Sequence, residues 1–270
     1  MTLAEAAATQ AASLGLADEV LSVAEAMDVQ YALRRSLSEP NADVAQRQHL
    51  VDALLGGTLS PAALDLVRVA AGEDWPSSEA MAFGLRDAAV SLAWRATASS
   101  AETAASSVET ARAQLLALIR AVTTNVPVNV AIGDVSHDAA SRQALAVALV
   151  PDAEPVVKLL VRSAIGDPRE AFAGNLSAYL DCLAQLRGHR RAAVTTAVAM
   201  TGSQVDTLKT QLSRIYGAPI DLEPAVDPGV IGGVRVVVGD DVIDGSIKAR
   251  LDAAREAMRE SQISADGQEG

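Results

Sequence analysis

Residues 77–97 read SSEAMAFGLRDAAVSLAWRAT, 21 residues uninterrupted by proline. Met81, Leu85, Ala88, Ala89 and Leu92 fall at i, i+4, i+7, i+8 and i+11. That spacing is one face of an amphipathic helix turned toward a core. The same device recurs on both sides of it. Residues 17–27 place Val20, Val23, Ala24 and Met27 on one stripe; Val108, Ala111, Leu115, Leu118 and Val122 form another; Phe172, Leu176, Tyr179, Leu183 and Leu186 form a fourth. Breaks separate these helices at Pro40-Asn41, Gly56-Gly57, Asn125-Val126-Pro127, Gly133 and Pro151. The first two-thirds of the chain is predicted to be helical throughout.

A weak internal repeat runs through this region. A shift of 95 lays Asp43, Ala45, Arg47, Gln48, Leu50, Ala53 and Leu54 on Asp138, Ala140, Arg142, Gln143, Leu145, Ala148 and Leu149. The same shift brings Leu33 and Leu37 onto Val128 and Ile132. A shift of 94 then brings Pro61, Leu66, Val67 and Arg68 onto Pro155, Leu160, Val161 and Arg162. Shared Ala/Leu composition produces chance matches of this kind, but not the Arg-Gln pair, the Pro or the Leu-Val-Arg triplet. The repeat predicts two stacked helical bundles sharing the 77–97 helix.

Beyond about residue 190 the pattern changes. Residues 191–200, RAAVTTAVAM, are rich in β-branched side chains and alternate as a strand does. Thr201 with Gln204 three residues later forms a capping box. The helix it opens carries Val205, Leu208, Leu212 and Ile215 on one stripe and stops at Gly217. Residues 219–226 and 230–238 read as two more strands, closed by Gly239-Asp240-Asp241, and Ile247, Leu251, Ala254 and Met258 stripe a last helix. The expected fold is mostly α: tandem helical bundles followed by a small α+β (βαββα) domain. Its parts are an extra bundle over 1–75, a bundle over 76–190, the α+β domain over 191–260 and a polar, disordered tail over 261–270.

Composition excludes several functions. Half the residues are apolar but only 3% are aromatic, and the net charge is −12. Nucleic acid needs a basic face, and an anionic membrane surface needs basic patches. With Cys182 alone no internal disulfide can form. The N-terminus, MTLAEAAATQ, lacks the basic and apolar regions of a signal peptide. No uncharged apolar run approaches the roughly 20 residues that span a bilayer. The sequence predicts a cytoplasmic chain, held at a membrane, if at all, by another protein.

The segment 226–255, VDPGVIGGVRVVVGDDVIDGSIKARLDAAR, resembles the C-terminal signature of the ATP synthase delta family, whose mitochondrial counterpart is the oligomycin-sensitivity-conferring protein. The matching pieces are Asp227-Pro228, the Ile-Gly-Gly of 231–233, the alternating VRVVVGD, and the VIDGS of 242–246 leading into a helix with Arg250 and Leu251. Upstream, the strand, capped helix and Ile-Tyr-Gly run of 194–217 continue the likeness. Delta-family N-terminal domains are six-helix bundles, and 76–188 can be laid over one; residues 1–75 are extra. Pro155 falls where family members carry Ser-Pro before a hydrophobic helix, although Asp-Ala-Glu precedes it here.

The resemblance implies a non-catalytic stator subunit of the F-type proton-translocating ATP synthase. Its bundle would grip N-terminal helices of the alpha subunits, a helix-in-groove contact. Its C-terminal domain would bind the b subunits of the peripheral stalk. Expected head contacts are exposed apolar residues of 77–97 and 152–165, with Leu85, Leu92, Leu159 and Leu160 as candidates. Expected stalk contacts are Val236, Val238, Ile247 and Leu251. Gly232 and Gly233 suit a bulge or close backbone approach at a strand start. Gly239 and Gly245 suit turns with positive φ, and Asp244 suits an N-cap for the last helix. Lys248, Arg250 and Arg255 would face solvent or a partner.

Other chemistry is less well supported. Asp240, Asp241 and Asp244 could hold Mg²⁺ or Ca²⁺, but their spacing fits no calcium loop and suits a solvated turn followed by a cap. The run Gly229-Val-Ile-Gly-Gly precedes a strand, not a helix, and is no phosphate loop. His49, His137 and His189 lack sequence neighbours at catalytic or metal-ligand spacing and read as surface residues. Cys182, one position off its stripe, reads as packed, and Trp75 and Trp94 as packing anchors. No catalytic residue, metal or cofactor is expected. A metal-dependent enzyme and a helical adaptor of another complex remain the alternatives.

Overall fold

In a computed structural model, residues 1–39, 42–99, 104–150, 152–230, 232–239 and 241–245 are described. They fall into two compact units, Met1–Leu183 and a second from Ala184 onward.

Unit 1 is helical. In chain order it holds α1 (Leu3–Thr9), α2 (Leu14–Val29), α3 (Tyr31–Leu37), α4 (Val44–Leu55), α5 (Pro61–Gly72), α6 (Ser78–Ser99), α7 (Ala104–Thr124), α8 (Val126–Gly133), α9 (Ala139–Ala148), α10 (Pro155–Gly166) and α11 (Phe172–Leu186), whose last turn carries the division between units. Local chemistry sets the boundaries. Ser13 caps α2 by accepting from the Leu16 N–H, and Ser60 caps α5 ahead of Pro61. The Ser77 hydroxyl accepts from the Ala80 N–H at the start of α6.

α6 is the centre of the unit, touching α1, α2, α3, α5, α7 and α10. Its five-residue stripe proves too narrow: Ala82, Arg86, Val90, Ala93, Trp94 and Thr97 are buried too. A helix enclosed on most sides has no polar face to show periodicity. Around it, the buried residues from Leu3 to Leu183 make one continuous core. Trp94 lies inside it with Nε1 donating to the Tyr179 carbonyl at 2.9 Å. Trp75 is half-buried; its Nε1 donates to the Ala70 carbonyl at 2.8 Å. A Cβ on Gly84 would stand 2.4 Å from the Trp75 ring, so the contact needs glycine.

The repeat falls on matching elements: its shifts carry α3, α4 and α5 onto α8, α9 and α10. Asp43 and Asp138 are the N-caps of α4 and α9, and Pro61 and Pro155 open α5 and α10. The structure extends the match. LAEAAAT of α1 lies over LRDAAVS, residues 85–91, with buried Leu3, Ala6 and Ala7 on buried Leu85, Ala88 and Ala89. α6 thus corresponds to α1 and lies between the two copies of the pattern.

Unit 2 holds β1 (Arg190–Thr196), α12 (Gly202–Tyr216), β2 (Ile220–Val226), β3 (Val234–Val238) and β4 (Asp241–Asp244). The sheet order is β2-β1-β3-β4. β1 and β2 run parallel through α12, and β3 and β4 add antiparallel neighbours. The Thr201–Gln204 capping box forms as expected, and Gly217 ends α12 at φ 66°. Ala192, Val194, Leu212, Ile220, Val236 and Val238 are its buried core. β4 is an addition to the expected strands, since DVID reads as turn and cap. The predicted last helix and tail lie outside the described residues.

Candidate functional site

The expected head-binding leucines project inward. Leu85, Leu92 and Leu160 are fully buried and Leu159 nearly so. The cause is α2, which packs on both α6 and α10 and buries Leu16, Ala17, Val20, Leu21, Val23, Ala24 and Met27. The trough between α6 and α10 therefore already holds a helix of the same chain. Arg162 of α10 fastens it, at 2.8 Å from Asp18 Oδ1 and 3.0 Å from Glu25 Oε1. The exposure expected of these leucines is thus corrected. Apolar side chains that do face solvent include Val126 and Val130 of α8, 70% and 63% exposed.

Beneath α2 lies a polar cluster that sequence reading missed. Arg86 is fully buried. Its Nη1 donates to the Ser163 carbonyl at 3.1 Å, and its Nη2 donates to the Gly166 carbonyl at 3.2 Å and to Asp28 Oδ2. Its Nε stands 4.0 Å from Oδ2 of buried Asp167. Asp167 also accepts from Arg169 Nε at 2.9 Å and from the Tyr179 hydroxyl at 3.2 Å, while Arg169 reaches Asp87 Oδ1 at 2.7 Å. The Tyr179 hydroxyl shares a 2.8 Å bond with Ser163 Oγ.

Burial pushes the Asp28 carboxyl up despite the Arg86 charge beside it. Glu25 is raised for the same reason, against the pull of Arg162. Burial also pushes on Asp167, but the hydrogen bonds from Arg169 and the charges of Arg169 and Arg86 outweigh it and hold that carboxyl below its ordinary value. Burial raises Tyr179. The one available signal in sequence was an arginine set among apolar positions of a helix.

In unit 2, Val236 and Val238 of the stalk set are core residues, 2% and 3% exposed. Ile247 and Leu251 lie outside the described residues, as do Lys248, Arg250 and Arg255. Exposed apolar side chains here include Val242 and Ile243 on the edge strand β4, and Ile215 of α12. Gly232 and Gly233 take φ of 66° and 83°. That delays β3 to Val234, four residues after the predicted start. Gly239 turns into β4 with φ 57°.

Gly245 is a correction, because it is not among the positive-φ glycines. Its N–H donates to the Val234 carbonyl at 2.9 Å, and a Cβ there would sit 3.1 Å from that oxygen. Close approach, not turn handedness, suits glycine at this position. Asp244 ends β4; the helix it was expected to cap lies outside the described residues, as does Asp240 of the acidic trio. Among the described residues no group of three or more His, Cys, Asp and Glu could hold a metal ion.

His49 and His137 are exposed, whereas His189 is half-buried with Nδ1 3.0 Å from Asp221 Oδ1. Spacing could not show that pair, because the residues meet across neighbouring strands. Cys182 is partly buried, and burial pushes its thiol up to about 11, far from a reactive thiolate. Among the described residues no single helix is long and apolar enough to cross a membrane.

Comparison with known proteins assigns the arrangement. The family described as ATP synthase delta (OSCP) subunit matches residues 95–258. ATP synthase subunit delta of Cutibacterium acnes is 32% identical over 243 residues, covering 90% of each chain. The Renibacterium salmoninarum subunit delta is 33% identical, covering 92% of this chain and 91% of its own. That of Frankia casuarinae is 34% identical, covering 90% and 87%. The matches to these relatives reach across both the helical unit and the mixed sheet, and the chain belongs to the ATP synthase delta (OSCP) subunit family.

Proposed function

We propose that the chain is a non-catalytic stator subunit that joins alpha subunits of the catalytic head to b subunits of the peripheral stalk. The observation that carries this reading is family membership over nine-tenths of the chain, in a molecule built as two units with separate cores. A linker needs two ends that fold independently of what each holds. Unit 1 takes the head and unit 2 the stalk, and the assembled synthase keeps the chain at the cytoplasmic face of the membrane.

On this reading Leu85, Leu92, Leu159 and Leu160 act from beneath, fixing the helices whose outer faces meet the head. Val236 and Val238 do the same for β3, and Ile247 and Leu251 remain candidates for direct stalk contact. The internal repeat is a duplicated bundle, with residues 1–75 as its extra copy sharing α6. The stator task is mechanical, so slow dissociation at both ends matters more than fast association.

Native purification of the tagged chain should recover alpha, beta and b-type subunits in near-equal amounts. Recovery of a different complex would overturn the reading. Gly233→Val places a β-branched side chain at φ 83°, a conformation such residues avoid. It should weaken capture of b subunits about tenfold, as expected for roughly 1–2 kcal/mol of backbone strain. Alpha-subunit capture should stay at the wild-type level. Equal loss of both would mean that the two ends are not assigned to the two units.

A further inference from the structure

We propose that Arg86 is the joint that makes the two helical repeats of unit 1 unfold as one cooperative body. It sits on α6, the helix that aligns with α1 and lies between the two copies of the repeat. Its guanidinium reaches into both repeats at once. On one side it binds Asp28, in the last turn of α2. On the other it donates to the carbonyls of Ser163 and Gly166, which close the C-terminal turn of α10. A planar fork with several pre-organised donors suits holding a carboxylate and two helix-end carbonyls together. A cation at that helix end also meets the negative end of its dipole.

The repeat supplies an internal control. At the equivalent place in α1 stands Ala4, since LAEAAAT lies over LRDAAVS. The helix equivalent to α10 is α5, where the Trp75 indole N–H takes the Ala70 carbonyl, the counterpart of the Ala164 carbonyl that Asn175 Nδ2 takes in α10. An arginine merely needed to cap the fifth helix of each repeat would recur. Arg86 stands where α6 lies between the two repeats. Its Nε also stands 4.0 Å from Asp167, which accepts from Arg169 and Tyr179, while Arg169 in turn donates to Asp87. That bracing ties the joint to α11 as well. Arg162 also bridges α10 to α2, but its side chain is 29% exposed and its partners Asp18 and Glu25 are 52% and 32% exposed. The Asp18 pair is open to water and contributes little; the Glu25 pair is half-buried and adds a smaller tie between the same two helices.

The inference is independent of which partners unit 1 binds. Hydrogen exchange on the full-length chain tests it, read segment by segment. In the wild type, α4–α5 and α10–α11 should open together and exchange at matching protection. In Arg86→Met, α10–α11 should exchange about a hundredfold faster while α4–α5 changes no more than a few-fold, because breaking a buried pair frees a sub-global opening. Arg86→Met with Asp28→Asn removes the orphaned carboxylate and should keep the same split. Arg162→Met should change neither segment by more than a few-fold.

Equal acceleration of both segments would overturn the proposal, reducing Arg86 to a general stabiliser. No acceleration in either would do the same. If the Met variants do not fold, Arg86→Lys keeps the charge without the fork. It should split the segments about tenfold, and a uniform response there would overturn the proposal equally.

Discussion

Unit 1 and unit 2 bury their polar chemistry to different depths. Unit 1 closes a continuous core from Leu3 to Leu183 around a fully buried arginine. Among the described residues of unit 2, six form the buried apolar core. Its polar pairs tie β2 to β1 and to the residue before it: Arg191 with Glu223 at 2.9 Å, both largely buried, and His189 Nδ1 with Asp221 Oδ1 at 3.0 Å. A buried ion costs several kcal/mol to desolvate even when well partnered, and only a large surrounding core offsets that. Each Val, Leu or Ile in a small core supplies about 1.5–3 kcal/mol, so unit 2 has little margin for such a cluster. Among the described residues, unit 1 has the larger core and the only fully buried arginine, and unit 2 the smaller core. They should differ in how they fail.

The largest blow to that contrast is Trp94→Ala. It removes the biggest fully buried side chain of unit 1 and its hydrogen bond to the Tyr179 carbonyl. The loss should be about 3–5 kcal/mol. Both tryptophans, Trp75 and Trp94, belong to unit 1, so the remaining Trp75 still reports its unfolding. The urea midpoint read by Trp75 fluorescence should fall while hydrogen exchange in β1 and β3 keeps wild-type protection. Equal loss in both units would mean that they stand or fall together.

Leu212→Ala is the reciprocal experiment. Leu212 is the buried anchor of α12 against the sheet, and truncation should cost about 2–5 kcal/mol. Against so small a core this should leave unit 2 largely unfolded at room temperature. The tryptophan transition of unit 1 should not move. A matching shift in that transition would break the comparison from the other side.

How far this could be read in advance also differs between the units. Strong 3.6-residue stripes made the helices of unit 1 legible, and the Asp43/Asp138 and Pro61/Pro155 correspondences made the repeat legible. The stripes could not say which faces were already taken. Leu85 and Leu159 look alike as surface anchors or core residues until α2 is seen packed on both their helices. Arg86 was illegible for a related reason: a charged residue reads as solvent-facing unless its partners, 58 to 80 positions away, are known. In unit 2 the capping box at Thr201 and the turn glycines are local signals and were readable. The edge strand β4 was not, because DVID has too few residues to alternate. Its pairing with β3 is a tertiary fact.

The smallest effect expected concerns acid. Asp167 is held below its ordinary value in the folded unit 1. Its ionised form therefore stabilises the fold above the unfolded carboxylate pKa of about 4, and that contribution is lost as pH falls through the lower folded value. Asp28 and Glu25 are raised by burial, so the sign reverses. Their ionisation weighs against folding at neutral pH, and the penalty lifts as mild acid protonates them. The urea midpoint of unit 1, followed by tryptophan fluorescence, should rise slightly between pH 7 and about 5 and then fall below about 4. Asp28→Asn should flatten the rise and leave the acid-side fall. Asp167→Asn should lower the midpoint at pH 7 and make the acid-side fall shallower. If both variants kept the wild-type profile, the pH response would belong to the exposed acidic surface of a chain carrying −12 net charge. The buried cluster would then not be what sets unit 1 apart.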